Sequence, residues 1–149
     1  MGVAVKKPVT HKTGYPRPII IKMEKENELK TLKIKETDQR PTPKWLMDCF
    51  NDYFDPCPLN SNPEVNGLNI DWKNKTYVNP PYSNIRPWVK KAIEEASKGK
   101  KIIMLLPADT STHYYADLIT ANAHIFFSHG RIKFSNYKCP AWGSMLVIL

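Results

Sequence analysis

Thr76-Tyr77-Val78-Asn79-Pro80-Pro81-Tyr82-Ser83-Asn84-Ile85-Arg86-Pro87-Trp88 is the stretch on which the fold turns. Its first three residues are β-branched or aromatic and read as a strand. A proline-stiffened turn follows, and Pro87 suits the first turn of a helix. That helix sets Trp88, Ala92, Ile93 and Ala96 on one side and ends at Gly99. Ile102 to Leu106 is an unbroken apolar run, as in a strand buried on both faces. Strand–helix alternation predicts an α/β sheet, mainly parallel, with helices packed on it.

Toward the C-terminus, Thr110 to Ala121 reads as a further helix, with Asp109 or Thr110 as its cap. Ile125-Phe126-Phe127, Arg131 to Phe134 and Ser144 to Leu149 read as three strands, with turns near Gly130 and Asn136. Three strands in close succession predict an antiparallel C-terminal hairpin that closes the sheet. Toward the N-terminus, Asn60, Ser61, Asn62, Pro63, Asn66, Gly67 and Asn69 make residues 59–70 a loop. Before it, Tyr53-Phe54 reads as the end of a buried strand, which Asp55-Pro56-Cys57-Pro58 terminates. Thr42 is placed to cap an amphipathic helix that Pro43 begins, with Trp45, Leu46, Cys49 and Phe50 on one face. Residues 1–39, rich in Lys and Glu with one apolar cluster at Ile19-Ile20-Ile21, read as a partly ordered basic arm. Residues 40–149 form the domain.

Bulk composition narrows the function class. The 149 residues suit one domain with a real core, and 42% hydrophobic and 24% charged residues are ordinary for a globular protein. No run approaches the roughly 18 apolar residues that span a membrane. Lys6, Lys7 and Lys12 precede no apolar stretch, so a secretory signal is not expected and a cytoplasmic location is. Cys49, Cys57 and Cys139 lack the spacing of a zinc site, as do the four histidines, so no metal is expected. A net charge of +8 favours a polyanionic partner.

The turn Asn79-Pro80-Pro81-Tyr82 follows a strand and precedes a helix, where open α/β sheets build their sites. Its residue types suit methyl transfer to an aromatic amine, whose lone pair is delocalised into the ring. The Asn79 side-chain oxygen and the Pro80 carbonyl can accept the two amino hydrogens and aim the lone pair at a methyl donor. Pro80 and Pro81 hold those acceptors rigid. Tyr82 offers a face for an extruded base. Taken alone, such a tetrapeptide serves adenine-N6, cytosine-N4 and guanine-N2 methylation, and glutamine methylation in proteins.

Four stretches in order narrow the choice. These are Thr42-Pro43 before a helix, Phe54-Asp55-Pro56-Cys57, Asp71-Trp72 leading into Tyr77-Val78-Asn79-Pro80-Pro81-Tyr82-Ser83, and Leu105 to Thr112. Gly130 to Phe134 and Ser144 to Val147 also fit. Residues 40–149 thereby resemble the phage Dam-type DNA N6-adenine methyltransferases. The resemblance implies a small Rossmann-like fold, S-adenosyl-L-methionine as donor, and DNA as partner, in a host cytoplasm if the source is viral. It implies that Asp55, Pro56 and Cys57 hold the methionine end of the donor, with Thr42 and Pro43 beside them. Asp71 is expected near its adenosine, with Trp72 packed alongside. The chain departs from the pattern at Arg40, where the family has tryptophan, and at Pro58, where it has alanine.

Ser83, Arg86, Arg131 and Lys133 are candidates for DNA contact. Target recognition must come from the arm, the 59–70 loop or residues 135–143, where Tyr137 and Trp142 can stack or wedge between bases. So little surface predicts a short site, low specificity or a second copy of the chain. Two other readings are a cytosine-N4 or RNA-base methyltransferase and a catalytically silent nucleic-acid-binding module.

Overall fold

The computed structural model describes residues 40–59, 66–134 and 140–149. All of them fall within one compact unit, Lys33–Leu149. The basic arm, Asn136 and Tyr137 lie outside the described residues.

Strand β1 (Lys75–Val78) passes through helix α2 (Ile85–Ser97) to β2 (Lys101–Pro107), which pairs parallel to it with Thr76 opposite Ile102. Helix α2 begins two residues before Pro87, which sits in its first turn, and Gly99 at φ +85° ends the connection. A helix exit in the left-handed region suits glycine because it has no Cβ to strain. Helix α3 (His113–Thr120) leads to β3 (His124–Phe127) and then β4 (Ser144–Ile148).

The sheet order is β1-β2-β4-β3, so β4 inserts between β2 and β3 and pairs antiparallel with both. This corrects the expected mainly parallel sheet at the level of ladders, since one of the three is parallel. The strand directions explain the difference. β1, β2 and β3 point the same way, and β4 alone is reversed. Arg131 to Phe134 pairs with nothing in the sheet among the described residues, so the middle one of the three expected C-terminal strands does not form. Ile132 and Phe134 nonetheless turn inward while Arg131 and Lys133 turn out. The alternation is real, but it marks an extended segment packed on one side rather than a hydrogen-bonded strand.

Phe54 forms a one-residue parallel bridge to Thr76 on the free side of β1. Its carbonyl accepts from Tyr77 and its N–H donates to Lys75, both at 2.9 Å. Successive residues of β2 feed two cores, as strand alternation requires. Ile102, Met104 and Leu106 pack with Trp72, Val78, Trp88, Val89 and Leu118 beneath α2 and α3. Ile103 and Leu105 pack with Leu46, Tyr77 and Phe134 on the other face.

Helix α1 is only Lys44–Met47, continued by a 3-10 turn over Asp48–Phe50. The change from 100° to about 120° per residue breaks the expected apolar face. Leu46 and Phe50 turn in, while Trp45 and Cys49 are exposed. Thr42 does not cap this helix. Helix α3 likewise starts later than expected and is capped by Thr112, whose hydroxyl accepts from the Tyr115 N–H. The Asp109 carboxylate instead accepts from the Ser111 N–H and hydroxyl.

Candidate active site at the carboxyl end of the sheet

Asn79 leaves β1 at its carboxyl end. Because Phe54 lies parallel to β1, Asp55 leaves its own strand at the same end, one position along the bridge.

The Asn79 amide is fixed in one orientation. Nδ2 donates to the Arg40 carbonyl at 2.9 Å and to Thr42 Oγ1 at 3.2 Å. Turning the amide over would set Oδ1 against the Arg40 carbonyl, two acceptors with no hydrogen between them. Oδ1 is left buried with no hydrogen-bond partner among the described residues. An unmet buried acceptor costs about 1–3 kcal/mol, so its retention calls for a purpose.

Thr42 Oγ1 also lies 3.1 Å from the Tyr77 hydroxyl. Tyr77 precedes Asn79 by two residues, and side chains at that spacing share one face of a strand. Burial pushes the Tyr77 hydroxyl well above its ordinary value, so it stays protonated. Phe50 stacks on its ring at 4.7 Å between centroids, 15° from parallel. Tyr77 thus braces Thr42, and Thr42 braces the catalytic candidate.

Pro80 is buried, and the Pro81 carbonyl accepts from the Asn84 N–H at 3.1 Å, closing the 3-10 turn Tyr82–Asn84. The Tyr82 ring meets Phe134 edge-on at 6.1 Å and Trp142 at 6.1 Å with a 59° tilt. Its hydroxyl is buried without a hydrogen-bond partner among the described residues, and burial drives its pKa up, so it too stays protonated. The Arg40 guanidinium lies 5.2 Å from the Trp142 ring centroid.

The Asp55 carboxylate accepts from the Cys57 N–H at 2.8 Å. Burial raises its pKa, and that hydrogen bond offsets part of the rise. It forms no ion pair among the described residues. Burial and the neighbouring Asp55 charge push the Cys57 thiol up to about 12, so it is a packing group rather than a nucleophile. A Cβ on Gly67 would stand 2.0 Å from the Pro56 carbonyl oxygen and 2.9 Å from the Trp88 ring. Only glycine lets the loop approach so closely. Trp72 secures the approach from below by donating its indole N–H to the Gly67 carbonyl at 2.8 Å.

The structure therefore gathers Thr42, Asp55, Pro56, Cys57 and Asn79 to Tyr82 at one end of the sheet, with Pro43 buried where α1 begins. It does not bring Asp71 there. Asp71 precedes β1, is 81% exposed at its side chain, and pairs with Lys100 at 3.2 Å at the opposite end. Trp72 beside it is a core residue. Arg86 is engaged by Asp117 at 2.9 Å, tying α2 to α3. Ser83 is exposed within the turn, and Arg131 and Lys133 are exposed and form no ion pair among the described residues. Sequence reasoning missed Tyr77, whose two-residue offset from Asn79 was a usable signal. It also missed the Arg40 carbonyl, which carries no side-chain signal.

Strands leading to a shared carboxyl end, a rigid Asn-Pro-Pro-Tyr turn and an oriented acceptor left without a partner among the described residues make up the candidate site. Comparison with known proteins names the family. The pattern of the DNA N-6-adenine-methyltransferase (Dam) family matches residues 30–142. A DNA N-6-adenine-methyltransferase of Haemophilus phage HP1 (strain HP1c1) is 33% identical over 122 residues, 70% of this chain and 70% of that protein. A DNA N-6-adenine-methyltransferase of Escherichia phage T1 is 48% identical over 56 residues, 36% of this chain and 24% of that protein. No solved structure matches. The chain belongs to the Dam family and is a DNA N6-adenine methyltransferase. Of the acceptors the tetrapeptide left open, the family selects the adenine amino group in DNA. Among the described residues no helix is long and apolar enough to cross a membrane.

Proposed function

We propose that Asn79 Oδ1 and the Pro80 carbonyl accept the two N6 hydrogens of an adenine turned out of DNA, with S-adenosyl-L-methionine as the methyl donor on a Rossmann-like sheet. The observation that carries this reading is the buried, unpartnered Asn79 Oδ1, held in place by two hydrogen bonds to its own amide nitrogen. When bound, the donor supplies an electrophilic methyl group on a sulfonium. Asp55 fits its cationic end, because a half-buried carboxylate with one backbone donor and no ion pair among the described residues gains most from an ammonium. Pro56 and Cys57 shape that turn, and Thr42 and Pro43 line it from the preceding segment. Asn79 draws the amino nitrogen toward a tetrahedral shape, so its lone pair points at the donor. The amine becomes acidic only once methylated, and its proton leaves to water. No side-chain base is required.

Tyr82 provides a ring for the extruded base. Ser83, Arg131 and Lys133 flank the turn as candidates for phosphate contact, and single Lys and Arg contacts of this kind weaken with salt. Arg86 is a poorer candidate because Asp117 already holds it. Trp72 supports the site through Gly67 and the core rather than by touching the donor, and Asp71 stands at the opposite end of the sheet.

The test is transfer of labelled methyl from S-adenosyl-L-methionine to DNA, followed by hydrolysis to nucleosides. Label in N6-methyladenine is expected. Label in N4-methylcytosine, or in RNA alone, would overturn the assignment of the site. Sedimentation with and without DNA decides whether a second copy joins.

A further inference from the structure

Three polar atoms around the turn are buried without hydrogen-bond partners among the described residues: Asn79 Oδ1, the Tyr82 hydroxyl and Trp142 Nε1. One is an acceptor, one is a hydroxyl, and one is donor only. They belong to one cluster, since the Trp142 ring packs on Tyr82 at 6.1 Å and Tyr82 is three residues from Asn79. Arg40 braces the arrangement from both sides. Its carbonyl orients the Asn79 amide, and its guanidinium lies against the Trp142 ring. A buried indole N–H normally finds an acceptor, and leaving one unmet is unfavourable.

The set matches the edge of an aminated base. An exocyclic amine offers hydrogens to an acceptor, while the ring nitrogens of adenine offer lone pairs to donors. Asn79 supplies the acceptor, and the two prolines of the Asn-Pro-Pro-Tyr turn supply no backbone donor beside it, because both lack an N–H. We propose that Trp142 is a base-recognising residue, donating its indole N–H to a ring nitrogen of the adenine whose amino group Asn79 holds. This rests on the proposed role of Asn79 and adds the feature that reads the ring. A base lacking an acceptor there leaves the indole unmet and is rejected.

The test pairs substrate and protein changes. DNA carrying 1-deaza-, 3-deaza- or 7-deazaadenine at the target is compared with adenine DNA, using wild-type protein and Trp142→Phe. With wild type, one of the three analogues should lower kcat/KM by about 3–10-fold, the worth of one neutral hydrogen bond. With Trp142→Phe, that same analogue and adenine should react alike. Trp142→His, which retains a ring N–H, should restore part of the discrimination, and melting curves show that each variant is folded. The proposal is overturned if no analogue is penalised by wild type, or if the penalty persists unchanged in Trp142→Phe. Absence of any transfer to adenine DNA by wild type would instead refute the role given to Asn79.

Discussion

At the amino end of β1 and β2, the Glu95 carboxylate accepts from Lys91, Lys98 and Lys100, while at the carboxyl end Asn79 Oδ1 and the Tyr82 hydroxyl have no hydrogen-bond partner among the described residues. Both ends bury polar atoms. At the amino end Lys100 also donates to the Trp72 carbonyl and to Asp71, and Glu94 pairs with Lys98, so three lysines, three carboxylates and a backbone oxygen close on one another. The Trp72 indole is met by Gly67. A polar group satisfied within the protein contributes to folding, whereas one left unmet at a defined position calls for an explanation of its own. On the proposed function, stability and function are segregated along the strands, as the carboxyl-end rule for open α/β sheets anticipates.

Substitutions that sharpen this contrast differ in size. Gly67→Ala should act most strongly, because the added methyl meets the Pro56 backbone rather than a flexible side chain. A loss of about 3 kcal/mol or more in chemical denaturation is expected. Stability equal to wild type would show that the loop does not need its close approach.

Glu95→Gln comes next. Burial would raise this carboxyl, but hydrogen bonds from Lys100, Lys91 and Lys98 outweigh it and hold it well below the usual carboxylate range. Breaking a buried pair costs about 3–5 kcal/mol, reduced here to about 2–3 because Lys98 is 44% exposed. A carboxyl with a depressed folded pKa contributes fully above its ordinary value of 4.5 and progressively less as pH falls below it. Wild-type stability should therefore decline below that pH, and the Glu95→Gln curve should be flatter there. Methyl transfer per folded molecule should be unchanged.

Thr42→Val is smaller in energy and falls at the other end. It removes the hydroxyl between Tyr77 and Asn79 at nearly constant volume, leaving the amide with one acceptor. A fall of about 10-fold in kcat is expected, with DNA affinity unchanged, corresponding to about 1.4 kcal/mol. Thr42→Ser should recover most of it. A loss of melting temperature with kcat intact would make the contact structural. Arg86→Ala is the smallest, since an exposed pair adds little. Transfer and melting should both stay close to wild type.

Much of the carboxyl end was legible in the sequence, because it is built from local order. A strand, two prolines and a helix fix Asn79 to Tyr82 wherever the chain goes. The Phe54-Asp55 stretch was legible for the same reason, although the bridge to Thr76 spans one residue. What escaped was non-local. That β4 inserts ahead of β3 depends on pairing between distant segments, which apolar runs do not encode. Arg131 to Phe134 alternates like a strand and has no partner in the sheet. Asp71 was expected at the site through family resemblance, yet its position before β1 already put it at the far end of the strand. Arg86 reads as a free cation until Asp117, on another helix, is seen beside it.

Asn79→Ala tests the division between the two ends most directly, with methyl transfer and thermal melting measured on the same sample. The substitution removes the unmet acceptor together with two hydrogen bonds, so the two stability effects oppose each other. The expected result is transfer to DNA lowered by about 100-fold or more, the scale of losing one preorganised polar group, with little change in melting temperature. Retained transfer with a marked drop in melting temperature would contradict it, and would make Asn79 a structural residue like those at the amino end.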